Sequence, residues 1–355
     1  MTLLEETLGR IVRQDTECRA RAKERLDQLT MPHWALGRLM DLAIDLAGMT
    51  GSLNPPVGKR VIVVMAADHG VVNAGVTKYP QEVTRQMVFN FLRGGAGINA
   101  LSRTANASVV VVDMGVAGDL REAADSDIFI SRSIGPGTAN MAEGPAMSRA
   151  DAVRSIEAGI QIALDLGKSY DLLGTGDMGI GNTTPSSAVI AALTGAPPRD
   201  VTGRGTGIDD NQFAHKIAVI ERILKINDPD TTDPLDVLAK VGGFEIGGIA
   251  GLILGAASMK KPVMVDGLIS TAGALIAFGL KREAADYMIA AHLSVEQGHK
   301  AALRMLQKQP LLDLSMRLGE GTGGALAMVL VDAAVRILTE VATFEEAAVS
   351  QADTQ

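Results

Sequence analysis

The sequence predicts an α/β fold, a Rossmann-like parallel sheet flanked by helices, and three observations carry that expectation. Two apolar runs, VIVVMAA at 61–67 and SVVVVD at 108–113, lack the polar alternation of a half-exposed strand. They fit strands covered on both faces. Helical patterns alternate with such runs along the chain, as in a parallel sheet with crossover helices. Gly-rich loops follow the strands at 68–75, 115–118, 174–184 and 266–271, the carboxyl edge where ligands sit in sheets of this kind.

In chain order, residues 1–48 read as two or three helices, with Leu3, Leu4, Leu8, Ile11 and Val12 at helical spacing. The break GSLNPPVG at 51–58 ends them. Besides the two long runs, shorter strands are expected at 128–131, 170–173, 263–265 and 287–290. Helices are expected at 82–93, 185–194, 209–226, 245–258, 270–281 and 323–341. The clearest helix is 148–166, with Val153, Ile156, Ile160, Ala163 and Leu164 on one face, Ser148 as cap and Gly167 as stop.

The 355 residues, 47% hydrophobic, are enough to bury a large core. A net charge of -8 argues against nucleic acid or an anionic membrane as partner. A phosphate must then be held locally, by backbone amides and one or two cations, which points to a small ligand. A single cysteine, Cys18, excludes an internal disulfide framework and a multi-thiolate zinc site; packing on a helix face is its expected role. The charged N-terminus has no signal-peptide pattern, and apolar stretches such as Ile246–Ser258 are short and Gly-broken. A soluble, cytoplasmic protein is expected. Thirty-nine glycines against 3% aromatics suggest tight turns and close backbone approach to a ligand.

Several motifs carry chemistry. GTGDMGIGNTT at 174–184 contains a formal G-x-G-x-x-G after an expected strand, which opens a dinucleotide-binding reading. Against it, Pro185 is expected to delay the helix, and Arg199-Asp200 stands where an acid ending a strand is needed. The turn still offers amides and hydroxyls at a helix N-terminus, suited to a phosphate; plain capping by Thr183 or Thr184 is the bland alternative. In LGEGTGGA at 318–325, glycines leave Glu320 uncrowded. A carboxylate there serves as a general base on an N–H or, more plainly, as a first-turn charge favoured by the helix dipole.

The loop ADHGVVNAG at 67–75 holds Asp68 and His69 without a partner nucleophile, so a structural role is favoured for both. Tyr79 through Met87 leads into a helix and offers a wall for a planar ligand, or core packing. GRGTG at 203–207 precedes His215 and Lys216, a cation for a phosphate or carboxylate unless it is simply solvated. DGLISTAGA at 266–274 is another strand-to-helix turn. HLSVEQGH at 292–299 lacks the H-E-x-x-H spacing of a metal site. No metal and no cofactor are expected.

Taken together, ADHGVVNAGVTKYPQEVTRQMV, GPGTANMAEGPAMSR, GTGDMGIGNTT, GRGTG with HK, GGFEIGGIAG, VDGLISTAGALIA, HLSVEQGH and MRLGEGTGGALA resemble the nicotinate-nucleotide–dimethylbenzimidazole phosphoribosyltransferase family of cobalamin lower-ligand synthesis. The resemblance runs from about residue 28 to 347. It implies a large α/β domain over 58–300 and a small helical domain from residues 1–50 and 301–355, in a homodimer. It implies transfer of phosphoribosyl from nicotinate mononucleotide to a benzimidazole with inversion, Glu320 taking the imidazole proton and Asp177 nearby as a second carboxylate. By the same resemblance, Tyr79, Pro80, Gln86, Met87, Leu318 and Lys216 surround the base. Gly179, Gly181, Asn182, Thr183, Gly205, Thr206, Asp266, Gly267, Ser294 and Gly319 hold the phosphoribosyl and nicotinate groups, with help from Lys216. Two positions depart from the pattern. Some relatives carry Glu at the place of Asp177, and a small Ser at the place of Tyr79.

Two other readings stay open from residues alone. One is an NAD(P)-dependent oxidoreductase resting on Gly174–Gly179. The other is a non-catalytic nucleotide-binding module.

Overall fold

The computed structural model describes residues 1–205 and 207–350. Three helices come first, α1 (Leu3–Arg10), α2 (Thr16–Leu26) and α3 (Arg38–Thr50). Strand β1 (Arg60–Ala67) follows, then α4 (Glu82–Leu92), α5 (Gly97–Thr104), β2 (Ala107–Gly115), β3 (Phe129–Ser131), α6 (Arg149–Leu166) and β4 (Leu172–Met178). The second half holds α7 (Thr183–Thr194), the single turn α8 (Pro198–Val201), α9 (Asp210–Asn227), α10 (Pro234–Val241), α11 (Phe244–Ser258), β5 (Val263–Val265), α12 (Leu268–Leu280), β6 (Met288–Ala290), α13 (Gln297–Leu306) and α14 (Thr322–Glu340). Short 3₁₀ turns at Gly70–Ala74, Arg121–Asp125 and Arg282–Tyr287 complete the path.

The six strands form one sheet in the order β3-β2-β1-β4-β5-β6, and every pairing is parallel. Every residue of β1 is buried, as the unbroken apolar run requires. Side chains alternate across it. Ile62 lies against Gly174 and Gly324, facing α14, whereas Met65 meets Gly248 of α11. Helices thus cover both faces. The order reverses between β1 and β4, and the crevice at that switch point is where such sheets bind ligands.

Helices α6 and α11 cross at backbone distance. A Cβ on Gly159 would overlap the Gly248 carbonyl, and one on Gly251 would overlap the Ile156 carbonyl. The glycines that made 246–258 look broken are therefore its packing surface. Helix α14 is long and apolar enough to cross a bilayer by length and composition, with half of its most apolar window buried. It packs on α3, α5 and the sheet. Cys18 is buried on α2.

The structure corrects the sequence reading at one informative place. Residues 174–178 are strand, not loop: β4 runs to Met178, and only Gly179–Asn182 turn before α7. Pro185 does not delay that helix. It stands in the first turn, where a missing N–H costs nothing. Helices α5, α10 and α13 also escaped the periodicity, being eight to ten residues long.

The α6–α11 contact yields a stability prediction. Gly251→Ala must push two helices apart and is expected to lower the unfolding free energy by about 1–3 kcal/mol in urea titrations. Gly9→Ala, at an exposed helical site with open space around it, is expected to be neutral or stabilising by up to about 1 kcal/mol.

Candidate active site

The site is assembled from the carboxyl ends of β1, β4 and β5 and from the turn entering α14. That turn is unusual: Gly319, Glu320 and Gly321 have φ of +82°, +62° and +89°. Left-handed backbone suits glycine and is costly for a glutamate. It is held because the Glu320 carbonyl lies against Gly176 of β4, where the oxygen would sit 2.5 Å from an added Cβ. Gly321 has Ile62 equally near. Close approach at 176 and positive φ at 319 and 321 explain the glycine at each position.

The Glu320 side chain is 6% exposed. Its Oε2 accepts the Ile98 amide at 3.0 Å, with the Gly97 amide also directed at it. The carboxylate therefore does face a helix N-terminus, but that of α5 rather than of its own helix. Burial raises its pKa above the ordinary carboxylate value and the Asp266 charge adds to this, while the Ile98 and Gly97 amides oppose it. A general base must ionise yet still want a proton, and this balance provides both.

Three further carboxylates lie close by. Asp177 on β4 is buried, with Oδ2 accepting the Asn182 side-chain amide at 3.0 Å and Oδ1 without a partner among the described residues. Burial and then the Asp266 charge push it well above its usual value. Glu245, in the first turn of α11, is wholly buried, and its Oε1 lies 2.9 Å from His69 Nε2. Burial disfavours the charged His69 ring, but the Glu245 and Asp68 charges outweigh it and raise its pKa. Asp266 follows β5 and is fully buried. Its oxygens accept the amides of Gly321 and Gly324, at 3.2 and 2.9 Å. Gly267 immediately precedes α12, beside His292.

The phosphate-type elements gather around the turn after β4, next to Asp177. Gly179 lies over the Ala67 carbonyl, and Gly181 turns with φ +87°. Asn182 precedes α7 but makes no side-chain cap. Thr183 Oγ1 instead accepts from Lys216 Nζ at 2.7 Å, so neither threonine hydroxyl is spent on capping. Lys216 is 1% exposed; burial lowers its pKa to about 8, against the Glu296 charge. Glu296 accepts the Gly205 amide at 3.1 Å, and its own amide bonds the Ser294 hydroxyl. A cleft of about 450 Å³ opens here between Gly203, Gly205, Phe213, Glu296 and Arg317. Thr206 lies outside the described residues.

On the base side, Leu318 is exposed and reaches over Gly97 next to Glu320. Tyr79, Pro80 and Gln86 are exposed, and Met87 is half-buried on α4. Thr84 of that helix accepts the Ile180 amide at 3.0 Å, tying α4 to the turn after β4. Lys216 groups with Thr183 and Gly205 rather than with Met87 or Leu318. Glu245 and Glu296 escaped the sequence reading. The one signal was an acid inside an apolar run, GGFEIGG, and another ahead of a short helix.

The dinucleotide reading of Gly174–Gly179 is overturned by this geometry. Gly174 and Gly176 lie within β4, where Ile62, Met328 and the Glu320 backbone occupy the space of their missing side chains. No turn remains there to cradle a pyrophosphate.

A phosphoribosyltransferase family model matches residues 11–349. The nicotinate-nucleotide–dimethylbenzimidazole phosphoribosyltransferase of Syntrophotalea carbinolica is 64% identical, over 99% of each chain. That of Desulfotalea psychrophila is 57% identical over the same share. A crystal structure of the enzyme so described from Thermus thermophilus superposes with a TM-score of 0.90 at 46% identity, covering 95% of this chain and all of that one. By sequence and by fold, this chain belongs to the nicotinate-nucleotide–dimethylbenzimidazole phosphoribosyltransferase family.

Proposed function

We propose that this chain transfers the 5-phosphoribosyl group of nicotinate mononucleotide to 5,6-dimethylbenzimidazole, giving α-ribazole 5′-phosphate and nicotinate. The observation that carries the mechanism is Glu320: a buried carboxylate of raised pKa, on a left-handed turn, at the switch point of the sheet. A benzimidazole nitrogen forms the new bond to C1′ from the α face as the C1′–nicotinate bond breaks on the β face. The bonding pair passes to the nicotinate ring and neutralises its pyridinium charge. Glu320 accepts the proton of the other imidazole nitrogen, which balances the charge.

The remaining residues have assigned tasks. Lys216, Thr183, Ser294, Gly205 and the turn Gly179–Asn182 hold the phosphate and the departing carboxylate, by charge and by amides at the start of α7. Tyr79, Pro80, Gln86, Met87 and Leu318 form the wall of the base pocket. Asp177 lies beside the reacting ring. Its negative charge, where present, favours oxocarbenium character at C1′.

The working form is proposed to be a cytoplasmic homodimer, consistent with the acidic surface and with exposed Leu36, Leu314 and Val329. Residues 1–50 and 301–355 are proposed to form the small helical unit. Its support is the packing of α2 and α3 on α14 and the bond from the Thr30 amide to the Ala342 carbonyl.

Glu320→Gln is expected to lower base-dependent nicotinate release by a factor on the order of 10² to 10⁴; near-normal turnover at neutral pH would refute the mechanism. A pH profile supplies a second check. The base works ionised, so kcat/KM should fall as pH drops through the Glu320 pKa. Because that pKa is raised, the acid limb should lie above the ordinary glutamate value of about 4.3. A profile flat down to about pH 4 would contradict it.

A further inference from the structure

We propose that Asp266 is a positioning residue for Glu320: its carboxylate clamps the left-handed turn that aims the base, and His292 holds Asp266 in place. The proposal rests on reading Glu320 as the base. Asp266 itself is fully buried and shares no surface with the cleft.

The geometry is specific. Oδ2 accepts the amide of Gly321 at 3.2 Å and Oδ1 that of Gly324 at 2.9 Å, and the Gly323 amide also faces the group. The Asp266 amide in turn donates to Thr175 Oγ1 of β4 at 3.2 Å. One side chain and its own backbone therefore tie β4, β5 and the start of α14 together across the Glu320 turn. His292 Nε2 stands 3.7 Å from Oδ1. Its ring fills the place of a Cβ on Gly323, so it also fixes where that amide points.

Three consecutive residues at positive φ persist only if their surroundings over-determine them. Gly176 supplies the steric half of that constraint, by leaving room for the Glu320 backbone. Asp266 supplies the polar half, since the Gly321 and Gly324 amides would otherwise be buried without acceptors. Released, the turn can rotate and carry the Glu320 carboxylate off the Gly97 and Ile98 amides. Plain capping of α14 would use the same bonds but predicts only lost stability. Positioning predicts a loss confined to the chemical step.

The test compares Asp266→Asn, His292→Asn and Glu320→Gln with the parent. For Asp266→Asn, kcat should fall on the order of 100-fold, with KM for nicotinate mononucleotide within about threefold, since Lys216, Thr183 and the Gly179–Asn182 turn, proposed to hold the phosphate, are untouched. An Asp266→Asn enzyme with near-parental kcat beside an inactive Glu320→Gln enzyme would overturn the positioning role alone. An active Glu320→Gln enzyme would overturn the premise. If Asp266→Asn fails to fold, His292→Asn decides: about tenfold lower kcat at unchanged KM supports the proposal, and unchanged kcat overturns it.

Discussion

The backbone of Glu320 rests on the backbone of Gly176, and much of the site follows from that contact. It requires a strand residue without a side chain in the middle of a sheet, which is otherwise a poor place for glycine. It requires the turn into α14 to approach from directly above the β1–β4 switch point. A turn that tight runs left-handed, so Gly319 and Gly321 must flank the one residue whose side chain does chemistry. The strain is tolerable because the sheet beneath is rigid, with β1 and β4 paired in register over seven residues.

The same contact sets the electrostatics. Glu320, Asp177, Asp266 and Glu245 are brought together at the sheet edge, where water cannot solvate them all. Each must then find amides, a counter-charge or a proton. Asp266 is stabilised by the amides of α14, Glu320 by those of α5, and Glu245 by His69. Asp177 has one side-chain amide and, among the described residues, an unpartnered oxygen. The cation, Lys216, lies apart with Thr183. A cluster of carboxylates at the Glu320 turn and a buried ammonium beyond Asn182 suit a donor with a cationic ring at one end and a phosphate at the other. An acidic protein can hold a phosphate because the positive charge is local and desolvated.

The fold was legible in the sequence to the extent that period and burial coincide. β1 and β2 are doubly covered and read as unbroken apolar runs, and α6 has a clean stripe with a serine cap. Legibility failed where glycine serves packing rather than turning. Gly174 and Gly176 resemble a phosphate loop in sequence because a loop and a close-packed strand both exclude Cβ. Only the neighbour across the gap, Glu320 some 140 residues later, distinguishes them. Glu320 stood out through its flanking glycines, but the partners that set its proton affinity did not. Ile98 and Gly97 act through their amides, which no residue type advertises. The resemblance names Asp266 as a ligand contact, but its bonds to the Gly321 and Gly324 amides, beneath the turn, are not legible in the residue pattern.

Asp177 shows how closely the turn and the strand are fitted. Both of its carboxylate oxygens lie 3.2 Å from where a Cβ on Gly319 would be. The aspartate thus already fills the space between β4 and the Glu320 turn. A longer acid at 177 would have to swing its carboxylate past Gly319 or displace the turn that Asp266 and Gly176 hold. Asn182 opposes such a swing, because its amide fixes Oδ2 and is itself set by the turn from Gly179 into α7. The length of residue 177 and the geometry of the 319–321 turn are therefore one constraint, not two. A chain with glutamate there must place its turn, or that carboxylate, differently.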